Sequence, residues 1–107
     1  MRILFDECVP WPLSREIKFC KLCSNPHKQG WCGVTNGDLL AKAEKEFDVF
    51  VTSDQSLRYQ QNLTGRRLAI WELWSNDWRI IQPHVENILT VIENMKSGDF
   101  IIFSPKD

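Results

Sequence analysis

The chain has 107 residues, with 13 Lys plus Arg against 14 Asp plus Glu and a formal charge of −1. That length suits one domain, residues 1–107, because either half alone would bury too little surface to fold. With 43% hydrophobic and 25% charged residues the composition is globular; near-neutral charge excludes a strongly basic nucleic-acid coat, and apolar runs of four or five residues exclude a bilayer span.

Ile3-Leu4-Phe5 reads as a short buried strand ending at Asp6-Glu7. The acid at Asp6 comes too early for a signal-peptide core, so a cytoplasmic location with reduced thiols is expected. Pro10 and Pro12 break the strand and open a short helix, with Leu13, Ile17 and Phe19 as its inner face. Phe19 to Ser24 reads as a second strand, and Asn25 to Thr35 as a loop. Asn36-Gly37-Asp38 looks like a helix start, Asn36 or Asp38 accepting from free N–H groups, and Leu39, Leu40, Ala43 and Phe47 follow at helical spacing. Val49 to Thr52 is a third strand, stopped by Ser53-Asp54. Leu57 to Leu63 reads as a polar helical turn or loop, and Leu68 to Trp71 as a fourth strand. Pro83 opens a helix carrying Val85, Ile88, Leu89, Ile92 and Met95; Ser97-Gly98 ends it, and Phe100 to Phe103 is a last strand.

Strands alternating with helices predict an α/β, three-layer domain with a mainly parallel five-stranded sheet, in the order 2-1-3-4-5. In such a sheet all strand ends, and the starts of the following helices, fall on one edge, where ligands bind. Asp6, Glu7 and Asp54 follow strand ends, and Asp38 opens a helix. Crowded carboxylates repel unless a cation is present, and oxygen donors without His or Cys suit Mg²⁺ or Mn²⁺. Asp6 and Asp54 are then the direct ligands, Asp38 completes the set or holds a bound water, and Glu7 is an outer or alternative ligand. Taken singly, each of these acids also reads as a cap or turn residue, as do Asp48, Asp77 and Asp99.

Three stretches carry a resemblance: Ile3-Leu4-Phe5-Asp6-Glu7; Gly30-Trp31 with Asn36-Gly37-Asp38-Leu39-Leu40; and Phe47 through Gln55. Together they resemble the small stand-alone PIN-like proteins, which are similar to VapC-type toxin nucleases and to the PIN-like module of the Mut-seven C-terminal family. The resemblance extends through Leu57 to Leu63 and Gly65-Arg66, and more weakly to the end. It implies a Mg²⁺- or Mn²⁺-dependent ribonuclease, often paired with an antitoxin, with acidic roles at Asp6, Asp38 and Asp54. Relatives often carry a second acid two positions after the third-strand Asp; here that position is Ser56. The departure favours one firmly held metal over two.

Arg58, Arg66 and Arg67, with Tyr59 between them, form a local cationic stretch able to hold phosphate and stack a base; the alternative is a solvated turn. Trp74 and Trp78, four apart, suggest an exposed apolar patch, and a homodimer suits a chain this small. Cys20, Cys23, His27 and Cys32 approach a zinc-knuckle spacing, but positions three apart in a strand face opposite ways, so buried reduced thiols, Cys8 included, are the plainer reading. His84 is expected to be solvated.

Two rivals to a nuclease stand. One is a receiver-like domain with Asp54 as phosphoacceptor, Asp6 and Glu7 on Mg²⁺, and Ser75 and Lys106 in support. The other is a catalytically silent PIN-like scaffold that binds RNA or a partner protein, favoured by Ser56.

Overall fold

A computed structural model describes residues 1–18, 22–57 and 66–103. Phe19, Cys20, Arg58, Tyr59 and Lys106, together with most of the 57–63 segment, lie outside the described residues. The strands are β1 (Arg2–Phe5), β2 (Leu22–Ser24), β3 (Val49–Thr52), β4 (Ala69–Leu73) and β5 (Phe100–Phe103). The helices are α1 (Pro12–Glu16), α2 (Pro26–Gln29), α3 (Asn36–Glu46), α4 (Trp78–Ile81) and α5 (Val85–Glu93), with a 3₁₀ turn over Gln82–His84.

The sheet order is β2-β1-β3-β4-β5 and all four pairings are parallel, as the alternating pattern predicts. Residues alternate between the two faces because the strand period is two. Ile3, Phe5, Val49, Val51, Trp71 and Leu73 pack with Leu13 of α1, Ile81 of α4 and Ile88 and Ile92 of α5. Leu4, Phe50 and Ile70, on the other face, pack with Leu39, Leu40 and Ala43 of α3. The sheet is thus the middle of three layers. Its central strands are buried on both faces, which is why their sequences run apolar without alternation.

Several local readings differ. Thr35, rather than Asn36 or Asp38, caps α3: its Oγ1 accepts from the Asp38 N–H at 3.3 Å, and its extended backbone starts the helix one residue earlier. The segment read as a loop from Asn25 contains α2, because the Asn25 side chain accepts from Lys28 N at 2.8 Å and Pro26 sits in the first turn. β4 runs two residues past Trp71, to Leu73. The helix expected from Pro83 is preceded by α4, capped by Asp77, whose Oδ1 accepts from Arg79 N at 2.9 Å. Trp74 and Trp78 are half-buried against the core rather than an exposed patch. His84 is half-buried and sets its ring edge-on to Trp74 at 5.4 Å. No described helix is long and apolar enough to cross a membrane.

Candidate functional site

The carboxyl edge of the sheet is assembled around one hydroxyl. Asp6 N donates to Val51 O at 2.8 Å, carrying the β1–β3 ladder one step beyond the Phe5–Val51 pair. That step sets Asp6 beside Thr52, which is 1% exposed. Thr52 Oγ1 donates to Asp6 Oδ2 at 2.8 Å and accepts from Asp54 N at 3.0 Å. The Asp6 carboxylate and the backbone amide of Asp54, the two candidates farthest apart in sequence, therefore bond the same oxygen atom. The hydroxyl's one proton goes to the carboxylate, and its lone pair takes the amide of the turn that carries Asp54.

Each carboxylate is further held. Asp6 Oδ1 accepts from Glu7 N at 2.9 Å, and the Cys8 thiol lies 3.6 Å from Asp6 Oδ2. Asp54 Oδ1 accepts from both Ser56 N at 2.9 Å and Ser56 Oγ at 2.5 Å. Ser56, at the position where the resemblance leads one to expect a second acid, acts as a donor to the first. Glu7 is exposed, and its Oε1 accepts from the Cys32 thiol at 3.4 Å; Cys32 Sγ also lies 3.6 Å from His27 Nδ1. The hydrogen bond to Glu7, then burial and the charge of Glu7, push the Cys32 thiol above its ordinary value.

Asp38 takes a different place. It is exposed in the first turn of α3, and the small cleft of about 100 Å³ beside Asp6 and Glu7 is lined from that helix by Asn36 and Leu39. Among the described residues, no three or more His, Cys, Asp or Glu are placed to hold one metal ion together. The expected four-acid set is thus not gathered around one point in this conformation. Asp6 and Asp54 remain as oxygen donors on one edge, and Mg²⁺ is commonly held by one or two carboxylates and keeps several of its waters.

The structure adds an acid that the sequence reading passed over. Glu72 pairs in register with Thr52 across β3 and β4 and is 3% exposed. By alternation from Ile70 it belongs to the α3 face, like Thr52 and Asp6. Asp6, Thr52 and Glu72 form a row across three adjacent strands. The available signal was a lone acid in the otherwise apolar run Leu68 to Leu73.

Of the expected cationic rim, Arg66 and Arg67 are placed elsewhere, while Arg58 and Tyr59 lie outside the described residues. Arg66 and Arg67 precede β4, so in a parallel sheet they sit at the edge opposite the acids. Arg66 pairs with Glu44 at 3.7 Å, and Arg67 donates from its backbone N to Glu44 Oε1 and from its guanidinium to Glu44 O. A hollow of about 390 Å³ at that edge, lined by Arg67, Asp48, Met95 and Lys96 among others, lies away from the carboxylates. Among the described residues, Lys28 of α2 sets its ammonium 4.5 Å over the Trp11 ring. Trp11, Asn25 and His27 line, with Asp6 and Glu7, a hollow of about 280 Å³. Of the thiols expected to be buried, Cys32 is exposed and Cys8 and Cys23 are half-buried, and none of the three is in a disulfide among the described residues.

Comparison of this chain with known protein families, with curated proteins and with solved structures gives no match.

Proposed function

We propose that the chain is a Mg²⁺- or Mn²⁺-dependent ribonuclease of the PIN-like kind, hydrolysing an RNA phosphodiester at the carboxyl edge of its sheet. The observation that carries the reading is Thr52 Oγ1, which donates to the Asp6 carboxylate and accepts from the backbone amide of Asp54. Asp6 and Asp54 hold the cation, and Glu72, in the same row, adds a buried carboxylate behind them. The cation supplies positive charge against the negative charge that builds on the phosphodiester oxygens during attack. Thr52 fixes Asp6 and the Asp54 turn before substrate arrives, which spares reorganisation at the reacting centre. Among the described residues, Lys28 and His27 take the phosphate-holding role expected of Arg66 and Arg67. An antitoxin partner, a cytoplasmic setting and a homodimer belong to the same reading and rest on the resemblance and on the chain's size.

The test is cleavage of single-stranded RNA with Mn²⁺. Asp6→Asn and Asp54→Asn, each shown folded by circular dichroism, lose at least about 100-fold in rate. Metal-dependent cleavage that survives both substitutions defeats the proposal. A second reading, a silent scaffold that binds RNA without cutting it, is favoured by one observation: both donors of Ser56 occupy Asp54 Oδ1. RNA binding by the wild-type chain with no cleavage at any Mn²⁺ concentration selects that reading.

A further inference from the structure

The hollow of about 280 Å³ beside Asp6 lies between the start of α1 and the end of β2, and its lining mixes two acids with an aromatic ring, an amide and an imidazole. We propose that it receives one unstacked nucleobase of a single-stranded RNA, with Trp11 as the stacking platform; the polymer's identity rests on the ribonuclease reading.

Size favours a small flat group, since drug-sized ligands need about 300–1,000 Å³. Charge favours the base over the backbone: Glu7, which holds no cation under the ribonuclease reading, repels a phosphate and leaves an uncharged heterocycle unaffected. The platform is braced. Trp11 is half-buried, meets the Phe5 ring edge-on at 5.9 Å and 82°, and its carbonyl accepts from both Ser14 N at 2.9 Å and Ser14 Oγ at 2.6 Å. A ring held this way loses little freedom when a base settles on it. Asn25 Oδ1 is committed to Lys28 N, so the amide offers a base its Nδ2 donors.

The Lys28 ammonium marks the ring's cation-accessible face. Lys28 is exposed and its stem is flexible. An exposed cation–π contact is weaker than stacking of a base on an aromatic ring, so the base takes the face. The displaced ammonium then stands one side-chain swing from the phosphate that follows the base, while Asp6 lines the same hollow as the ring. One nucleotide is thereby read at three points: base on Trp11, phosphate on Lys28, and the bond to be cut toward Asp6.

The test changes the RNA before it changes the protein. Binding of a fluorescein-labelled single-stranded oligoadenylate is measured by anisotropy, with Ca²⁺ in place of Mn²⁺, for a series in which one adenine at a time is replaced by an abasic site. The wild-type chain loses about tenfold in affinity at one position and little at the others. In Trp11→Leu the intact and abasic oligomers bind alike; Lys28→Gln weakens every oligomer and keeps the abasic penalty. Because the abasic series runs on unaltered protein, it stands even where Trp11→Leu, which removes a contact to Phe5, fails to fold. RNA that is bound and cleaved with no abasic penalty, or a penalty that persists in Trp11→Leu, overturns the base subsite and leaves the nuclease reading intact. Absence of both binding and cleavage by the wild-type chain overturns the nuclease reading, and this inference with it.

Discussion

Thr52→Val separates the chemistry of the Thr52 hydroxyl from its shape. Valine has nearly the same outline, so the buried site between β1 and β4 stays filled. What disappears is the donor to Asp6 Oδ2 at 2.8 Å and the acceptor for Asp54 N at 3.0 Å. A hydrogen bond to a charged group contributes about 1.5–3 kcal/mol, and an amide left without its partner costs about 1–3 kcal/mol where water cannot reach it. Against these, the added methyl group gains about 0.8 kcal/mol of burial. The net expectation is a loss of about 2–5 kcal/mol where Asp54 N stays dry, and of about 1–2 kcal/mol if water reaches it. Thr52→Ser is the control: it keeps the hydroxyl, removes one methyl group and costs about 1 kcal/mol.

Urea denaturation followed by tryptophan fluorescence reads both values, and the melting temperature of Thr52→Val drops on the order of 10 °C. A double-mutant cycle with Asp6→Asn localises the effect, since the two residues share one bond and cannot behave additively. If Thr52→Val is as stable as Thr52→Ser, the hydroxyl does not tie the two acids together. The shared anchor on which the proposed function rests is then lost.

Three further outcomes follow from the local geometry. Cys32 reacts slowly with iodoacetamide at about pH 8, because Glu7 holds its thiol above the ordinary value; Glu7→Gln lowers that value, raises the thiolate fraction and speeds alkylation, and an unchanged rate refutes the Cys32–Glu7 bond. Arg79, through its side-chain hydrogen bond and then its backbone N–H and its charge, holds the Asp77 carboxyl below its usual range. The stabilisation is complete above the unfolded carboxyl value and fades as pH falls through the depressed native one, so Arg79→Gln loses stability at neutral pH and matches the wild type in strong acid. Gly98 has φ near +83°, and an added Cβ would come within 3.1 Å of Arg66 O; Gly98→Ala therefore costs more than about 1 kcal/mol, measured as a shifted urea midpoint at constant slope.

The layer arrangement was legible because the strands carry two kinds of information at once. Ile3-Leu4-Phe5 and Val49-Phe50-Val51 are apolar at every position, which only a strand covered on both faces requires. Between them, Leu39, Leu40 and Ala43 fix one covering helix, and Ile88 and Ile92 the other. What the sequence hid were features set by single bonds. Whether Thr35, Asn36 or Asp38 caps α3 depends on one backbone dihedral, and all three residue types are able to cap. The short α2 depends on Asn25 folding back on Lys28 N, in a segment whose glycines read as loop.

The acids were legible as a set on one edge, and their individual roles were not. Asp38 opens its helix at the correct edge, yet a helix turns by about 100° per residue, so two positions decide whether Asn36 or Asp38 borders the cleft. Arg66 and Arg67 follow Asp54 closely in sequence but come after the chain has crossed back to the start of β4. In a parallel sheet that crossing reverses the edge, so proximity in sequence to a strand end says little once a crossover intervenes.

Glu72 follows from the same geometry read the other way. Ending the fourth strand at Trp71 leaves Glu72 in a turn, where an acid is unremarkable. Extending it by two residues pairs Glu72 with Thr52 and buries it on the face that already carries Asp6. A carboxylate in that position costs desolvation free energy that a turn residue would not. Under the nuclease reading, Glu72→Gln, which keeps the shape and exchanges the carboxyl for an amide, lowers the rate of Mn²⁺-dependent cleavage at least tenfold, an effect of about 1.4 kcal/mol on the barrier. A variant that cuts RNA at the wild-type rate confines Glu72 to a structural role and leaves Asp6 and Asp54 as the working pair.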